Sequence, residues 1–156
     1  MISPKDVLPL GKNRPDMKLD LSAYENAINQ LEDSLIQYQS EIVQQSPQLQ
    51  PHMRAGAIQA FEFTYELAHK TLKRYLEATE PSGEVIDAMD FETLIRTGNE
   101  RNLLLSDVAA WRNYRAKQGT TSHSYNETKA EMVFETLPIF LKEAQHLLKV
   151  LKEKMA

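Results

Sequence analysis

An all-α, up-and-down bundle of four to five helices is the fold this sequence predicts, and three observations predict it. Apolar residues recur at alternating steps of three and four over long stretches, the repeat of a helix face rather than of a strand. Gly and Pro are scarce, 5 and 7 in 156 residues, and fall mostly at the N-terminus or between the periodic stretches. No stretch shows strand-like alternation, and no internal repeat or Gly-rich phosphate loop occurs.

Residues 1–18 carry three Pro, one Gly and alternating charges, and read as a flexible N-terminal arm ahead of a helical domain over 19–156. The first helix follows from Leu21, Tyr24, Ile28, Leu31, Leu35, Tyr38 and Ile42, a narrow seam suited to shallow packing angles. Pro47 and Pro51 break it, and Pro51 is placed to begin the next. The second helix is expected over Pro51–Ala78. Ile58, Phe61, Tyr65, Ala68, Leu72 and Tyr75 form one stripe, and Ala57, Ala60, Thr64 and Leu67 widen it, which makes this helix central. Pro81-Ser82-Gly83 ends it. A short helix over Ala88–Thr97 should close at Gly98-Asn99 with a left-handed cap.

Ser106 can cap a further helix carrying Val108, Trp111 and Arg115 and running to Gln118, with Gly119 to Ser122 as a turn. Ser124 and Glu127 have capping-box spacing for the last helix, marked by Ala130, Phe134, Leu137, Leu141, Ala144, Leu148 and Leu151. Pro138 should bend that helix without ending it, because the stripe continues in phase. The core is expected to hold Leu31, Leu35, Phe61, Tyr65, Leu72, Trp111, Phe134 and Leu141.

Composition narrows the functional classes. Hydrophobic residues are 42% and charged residues 26%, enough apolar surface to fold and too much for a disordered chain. A net charge of -4 argues against a whole-surface grip on nucleic acid, so any RNA contact must be local or shared with a partner. The absence of Cys excludes disulfide scaffolds and thiolate zinc sites. The first residues lack a signal-peptide core, and no apolar run approaches the roughly 18 residues of a membrane span. A cytoplasmic protein with no membrane contact is the expectation.

The densest polar cluster runs from Trp111 to Tyr125. Arg112, Arg115 and Lys117 bring positive charge to a helix end, and the start of the last helix offers free N–H groups, a seat for phosphate. His123 titrates near neutral pH and could serve as acid or base on a phosphodiester, and Tyr125 sets a hydroxyl beside it. Read from residue types alone, the same cluster is explained by capping, helix-dipole compensation and packing. A second group, Glu62, Glu66 and His69, lies at helical spacing among aromatic residues. Metal binding there would need carboxylates from other helices, and no matching motif exists, so no metal and no cofactor is expected. The exposed part of that aromatic stripe reads as a partner surface.

The stretch Ile58 to Leu76, together with Trp111 and the run Thr121-Ser-His-Ser-Tyr125, resembles the nucleotidyltransferase substrate-binding family of HEPN proteins. The resemblance covers roughly residues 20–152. It implies a homodimeric bundle that pairs with a minimal nucleotidyltransferase encoded nearby, two copies of the Gln118–Tyr125 region facing a shared groove. In the toxin–antitoxin branch such a protein is a metal-independent ribonuclease whose signature is an Arg, four to six residues, a His, any residue and a Tyr. The nucleotidyltransferase silences it by adenylylating that Tyr. His123 matches the His and Tyr125 the Tyr. The usual Arg-Asn is Gln118-Gly119 here, and a neutral amide cannot supply the cationic fork that steadies a phosphorane-like transition state. Arg115, one turn earlier, tilts toward its helix's N-terminus; Lys117 is rotated about 100° from Gln118. The expected function is therefore a partner of a nucleotidyltransferase with a degenerate ribonuclease site. The alternative is a working endoribonuclease toxin that recruits Arg115 or Lys117.

Overall fold

The computed structural model describes residues 19–120 and 126–156. The arm expected over 1–18, the Ser124 cap, and His123 and Tyr125 lie outside the described residues. Seven helices appear, with no strand among the described residues: α1 (Ser22–Tyr38), α2 (Glu41–Gln44), α3 (Leu49–Thr79), α4 (Gly83–Asp87), α5 (Phe91–Glu100), α6 (Val108–Thr120) and α7 (Glu127–Lys154). The two long helices, α3 and α7, pack together, α1 lies against both, α6 docks on both, and α5 reaches α6 and α3.

The core is centred on Phe140 of α7. Its ring centroid lies 5.1 Å from Phe61 and 5.1 Å from Tyr114, 6.1 Å from Tyr65 and 6.3 Å from Trp111. Three of these contacts are edge-to-face, the arrangement that the ring quadrupole favours. Leu31, Phe61, Tyr65, Leu72 and Trp111 are buried as expected, while Leu35, Phe134 and Leu141 are partly buried and packed against the core. On α7 the deepest stripe is Val133, Leu137, Phe140, Ala144, Leu147 and Leu151. The expected stripe shares Leu137, Ala144 and Leu151 with it and otherwise follows the flank.

Several boundaries differ from the sequence expectation, each for a local reason. The first helix stops at Tyr38 and α2 begins after a break at Gln39-Ser40, so Val43 turns inward and Ile42 is left 74% exposed. Gly83 opens α4, which buries Ile86. Gly98 lies inside α5, where an added Cβ would come 3.0 Å from Leu104 Cδ1 and 3.3 Å from Leu72 Cδ1. Close packing against Leu104 and Leu72, not a left-handed cap, favours glycine there. The left-handed residue is Asn102, with φ 61°. Asp107, not Ser106, caps α6 by accepting from Ala110 N at 3.1 Å, and the helix continues through Gly119 to Thr120 where a turn was expected. Asn126 caps α7 through Lys129 N at 3.0 Å, so the helix begins at Glu127 and Tyr125 precedes the cap.

Polar ties fix this arrangement. Glu143 is 0% exposed, and its carboxylate accepts from Leu105 N at 2.8 Å, Ser106 N at 3.3 Å and the Tyr114 hydroxyl at 3.3 Å. A buried carboxylate is tolerated only when hydrogen-bonded in this way, and it holds the α5–α6 connection against α7. Burial with Glu143 alongside pushes the Tyr114 hydroxyl up to about 12. Tyr24 of α1 donates to the Ala144 carbonyl at 2.8 Å, and Lys152 reaches Glu25 at 2.9 Å, so the start of α1 lies beside the end of α7.

Candidate functional site

The cationic cluster sits where α6 faces α3 and α5. Trp111, Arg115 and Gln118 follow one another at steps of four and three, and so share a face of α6. Trp111 anchors that face in the core, and the next two turns emerge over a cleft of about 320 Å³. On the opposite wall α3 presents Tyr65, Glu66, His69 and Lys73, again at helical steps, and the start of α5 adds Phe91.

Gln118 is held there. Its Nε2 donates to Glu66 Oε2 at 3.0 Å, across 52 residues of sequence. The Arg115 guanidinium lies over the Phe91 ring, 4.5 Å from its centroid, a cation–π contact. Arg112 points the other way and makes a bidentate pair with Glu92, Nε to Oε2 at 2.6 Å and Nη2 to Oε1 at 2.9 Å. That pair holds the Glu92 carboxyl below the usual range. Lys117 donates to Asn113 Oδ1 at 3.0 Å on its own helix. The four predicted polar residues of α6 are thus split: Gln118 and Arg115 line the cleft, whereas Arg112 and Lys117 are engaged outside it.

His69 lies in a near-parallel series of rings, 6.5 Å from Tyr65 at 25° and 5.9 Å from Phe91 at 14°. Burial, reinforced by Lys73 and Arg115 and opposed by Glu66, lowers its pKa, so the imidazole is neutral at neutral pH. Burial also pushes the Tyr65 hydroxyl up to about 12. One turn back on α3, Glu62 carries a buried oxygen with no hydrogen-bond partner, and burial raises its pKa. Among the described residues, no three His, Asp or Glu side chains are grouped to hold a metal ion.

The start of α7 is tied to the same helix. Arg54 of α3, almost fully buried, pairs with Glu127 in the first turn of α7. This clip fixes the residue immediately after the Asn126 cap. His123 and Tyr125 themselves lie outside the described residues.

Residues 19–153 match the family described as nucleotidyltransferase substrate binding protein like. The chain belongs to this family. A Haemophilus influenzae relative named "Probable ribonuclease HepT" is 34% identical over 139 residues, covering 88% of this chain and 94% of that one. A solved Haemophilus influenzae structure, described as revealing the fold of a substrate binding domain of a nucleotidyltransferase, superposes with a TM-score of 0.79. It is 32% identical and covers 85% of this chain and 99% of its own.

For a member of the nucleotidyltransferase substrate-binding family, the segments that suggested membership are also those that meet in space. The α3 stretch that carried the resemblance meets Trp111 of α6, which also carried it, through Tyr65 at 6.3 Å, and its Glu66 bonds Gln118, where the chain departs from the signature. Sequence reasoning placed Glu66 and His69 on one stripe but did not bring them to Gln118, since helical spacing says nothing about which neighbour a stripe will face. Phe91, Lys73 and Arg54 were missed. An aromatic residue after an N-cap Asp and isolated basic residues on a long helix carry no pattern that would single them out.

Proposed function

We propose that this chain is the HEPN-type partner of a minimal nucleotidyltransferase, with a ribonuclease site degenerate at Gln118. The observation that carries this reading is the Gln118–Glu66 hydrogen bond. At the place where the family signature has a guanidinium, this chain has a neutral amide already engaged by a carboxylate. That pair adds no positive charge for a cleaving phosphodiester. Arg112 is matched by Glu92, which further lowers the charge free for RNA. Copurification of this protein with a nucleotidyltransferase encoded beside it tests the partnership, and its failure would sink the reading.

Tyr125 is the acceptor of the transferred nucleotide in this reading. A phenol ionises near pH 10, so the partner enzyme must supply the base and the metal. The Arg54–Glu127 clip supports the assignment, because it holds the helix start two residues beyond Tyr125. Incubating the pair with ATP and magnesium should add AMP to this chain, and Tyr125→Phe should block the addition. Peptide mass spectrometry finding the label on Tyr114 or on a hydroxyl of 120–124 would overturn the assignment.

The second reading, an active endoribonuclease toxin neutralised at Tyr125, is favoured by the name of the 34% identical relative and by Arg115, which lines the same cleft as Gln118. RNA cleavage by the isolated wild-type protein separates the two. A homodimer, cytoplasmic location and RNA as the local ligand complete the proposal. Phe63, 55% exposed on α3 beside a hollow formed with α1, supports a further interface on this bundle.

A further inference from the structure

Glu66 ties α3 to α6 beside the cleft, and its carboxylate has two claimants. Gln118 reaches it from α6, donating Nε2 to Oε2 at 3.0 Å. His69 follows it by three residues on α3, the spacing at which helix side chains become neighbours, and lines the same cleft. Burial, Lys73 and Arg115 lower the imidazole's pKa and Glu66 raises it, so the two side chains already sense each other. The remaining charged groups around the ring are engaged elsewhere. Lys73 of α3 lies 3.9 Å from Asp87, and the Arg115 guanidinium of α6 sits over the Phe91 ring. Asp90, ahead of α5, accepts from Thr93 N at 2.8 Å as the cap of that helix. Tyr65, stacked on the other side of His69, keeps its proton because burial pushes its hydroxyl up to about 12. Glu66 is therefore the carboxylate placed to answer a positive charge on His69.

We infer that Glu66 exchanges partners with pH: its carboxylate holds Gln118 while His69 is neutral, and turns to His69 once that ring is protonated. A neutral imidazole has one N–H, whereas the imidazolium has two and carries a charge. A charge-assisted bond to a carboxylate is roughly twice as strong as one from a neutral donor, so the imidazolium outcompetes the Gln118 amide. The claimants stand on different helices, and turning the carboxylate to the next turn of α3 draws it away from α6. The same proton loosens a second tie. It sets a cation against the Phe91 ring, 5.9 Å from His69, that already carries Arg115, and like charges repel. The end of α6 is thus clasped to α3 and α5 at neutral pH and released in acid. Position 118, where the family signature has its guanidinium, is coupled to pH through a residue on another helix. The exchange involves only this chain's own side chains and is independent of the partner enzyme.

A pH titration of the full chain by NMR reads both claimants at once, through the His69 ring protons and the Gln118 side-chain NH2 group. The Gln118 resonances should step with the same midpoint as the His69 ring, below the ordinary histidine value of about 6.5. Glu66→Gln should remove the Gln118 step and move the His69 midpoint lower still, because the ring loses the carboxylate that favours its charge. His69→Gln should remove the Gln118 step as well. His69 is half-buried and Glu66 exposed, so Glu66→Gln carries the test if His69→Gln lowers the melting temperature. Gln118 resonances that stay constant while His69 titrates would overturn the exchange, since the carboxylate would then hold both donors together. A Gln118 step confined to the ordinary glutamate range, near pH 4.3, would also overturn it, showing that Glu66 lets go only when it is itself protonated. Persistence of the step in Glu66→Gln would do the same.

Discussion

Gln118 and His69 show how single side chains set the chemistry of this site. If the neutral amide is what disables cleavage, Gln118→Arg should raise RNA cleavage above the wild-type level, and His123→Ala should abolish whatever remains. The new guanidinium would meet Glu66, an exposed pairing worth only about 0–1 kcal/mol, so it should orient the Arg without withholding it from substrate. Strong cleavage by wild type that survives both Arg115→Ala and Lys117→Ala would show that Gln118 is not the limiting group. His69 makes a separate prediction about pH. Its folded-state pKa is lowered by burial and by Lys73 and Arg115, so the unfolded chain takes up its proton first. The stabilisation is complete above the ordinary histidine value of about 6.5 and is lost as pH falls through the lower folded value. Thermal melts should therefore decline below about pH 6.5, and His69→Gln should flatten that decline. Glu62, raised by burial, acts in the opposite sense, favouring the fold at low pH, so the comparison between wild type and variant isolates the histidine.

At the scale of elements, Glu143 is the polar joint on which the short segments depend. Glu143→Leu would leave the part-buried Leu105 and Ser106 amides and the Tyr114 hydroxyl without this acceptor, and an unpaired group costs up to about 1–3 kcal/mol when buried. A loss of about 2 kcal/mol or more is expected in denaturant melts, with hydrogen exchange rising first at 105–106. Equal protection in variant and wild type would show that other contacts hold the connection. Such joints explain which parts of the fold were legible in the sequence. The long helices α1, α3 and α7 were readable because many residues repeat one period, although on α7 the expected stripe fell on the flank of the buried one. Caps and short helices rest on one or two residues each, and neighbouring candidates compete. Asp107 stands beside Ser106, and Asn126 lies two residues beyond Ser124; in both places the later residue caps the helix. Gly98 resembled a cap because glycine serves both left-handed turns and close packing, and only the neighbouring Leu104 and Leu72 distinguish the two. For the site, the polar stripe of α6 and the Glu66–His69 stripe of α3 were both legible, but their meeting was not. The Gln118–Glu66 contact depends on how two helices are rotated about each other, and no residue spacing encodes that.

The molecule as a whole presents apolar side chains that its own core does not cover. Phe63, Ile36, Met132 and Ile139 are each more than half exposed, on α3, α1 and α7. Association through such side chains would remove them from water at about 25 cal/mol per Å². The expected outcome is a dimer in sedimentation at micromolar concentration, without the nucleotidyltransferase present. A monomer under those conditions would count against the homodimer and leave these side chains to a different partner.

The bond from Tyr24 to the Ala144 carbonyl has a consequence for the order of events during synthesis. α1 is made first and α7 last of the helices, yet they are neighbours, and Phe140, around which the core rings gather, belongs to the later one. A nascent chain that has emitted α1 to α6 therefore has no seat for Tyr24, Phe61 or Trp111, and no acceptor for the amides of Leu105 and Ser106. Such a chain is a species with exposed apolar surface, the kind that chaperones retain and proteases remove. Ribosome-stalled chains halted before α7 should be protease-sensitive throughout, and protection should appear in one step once α7 has left the exit tunnel.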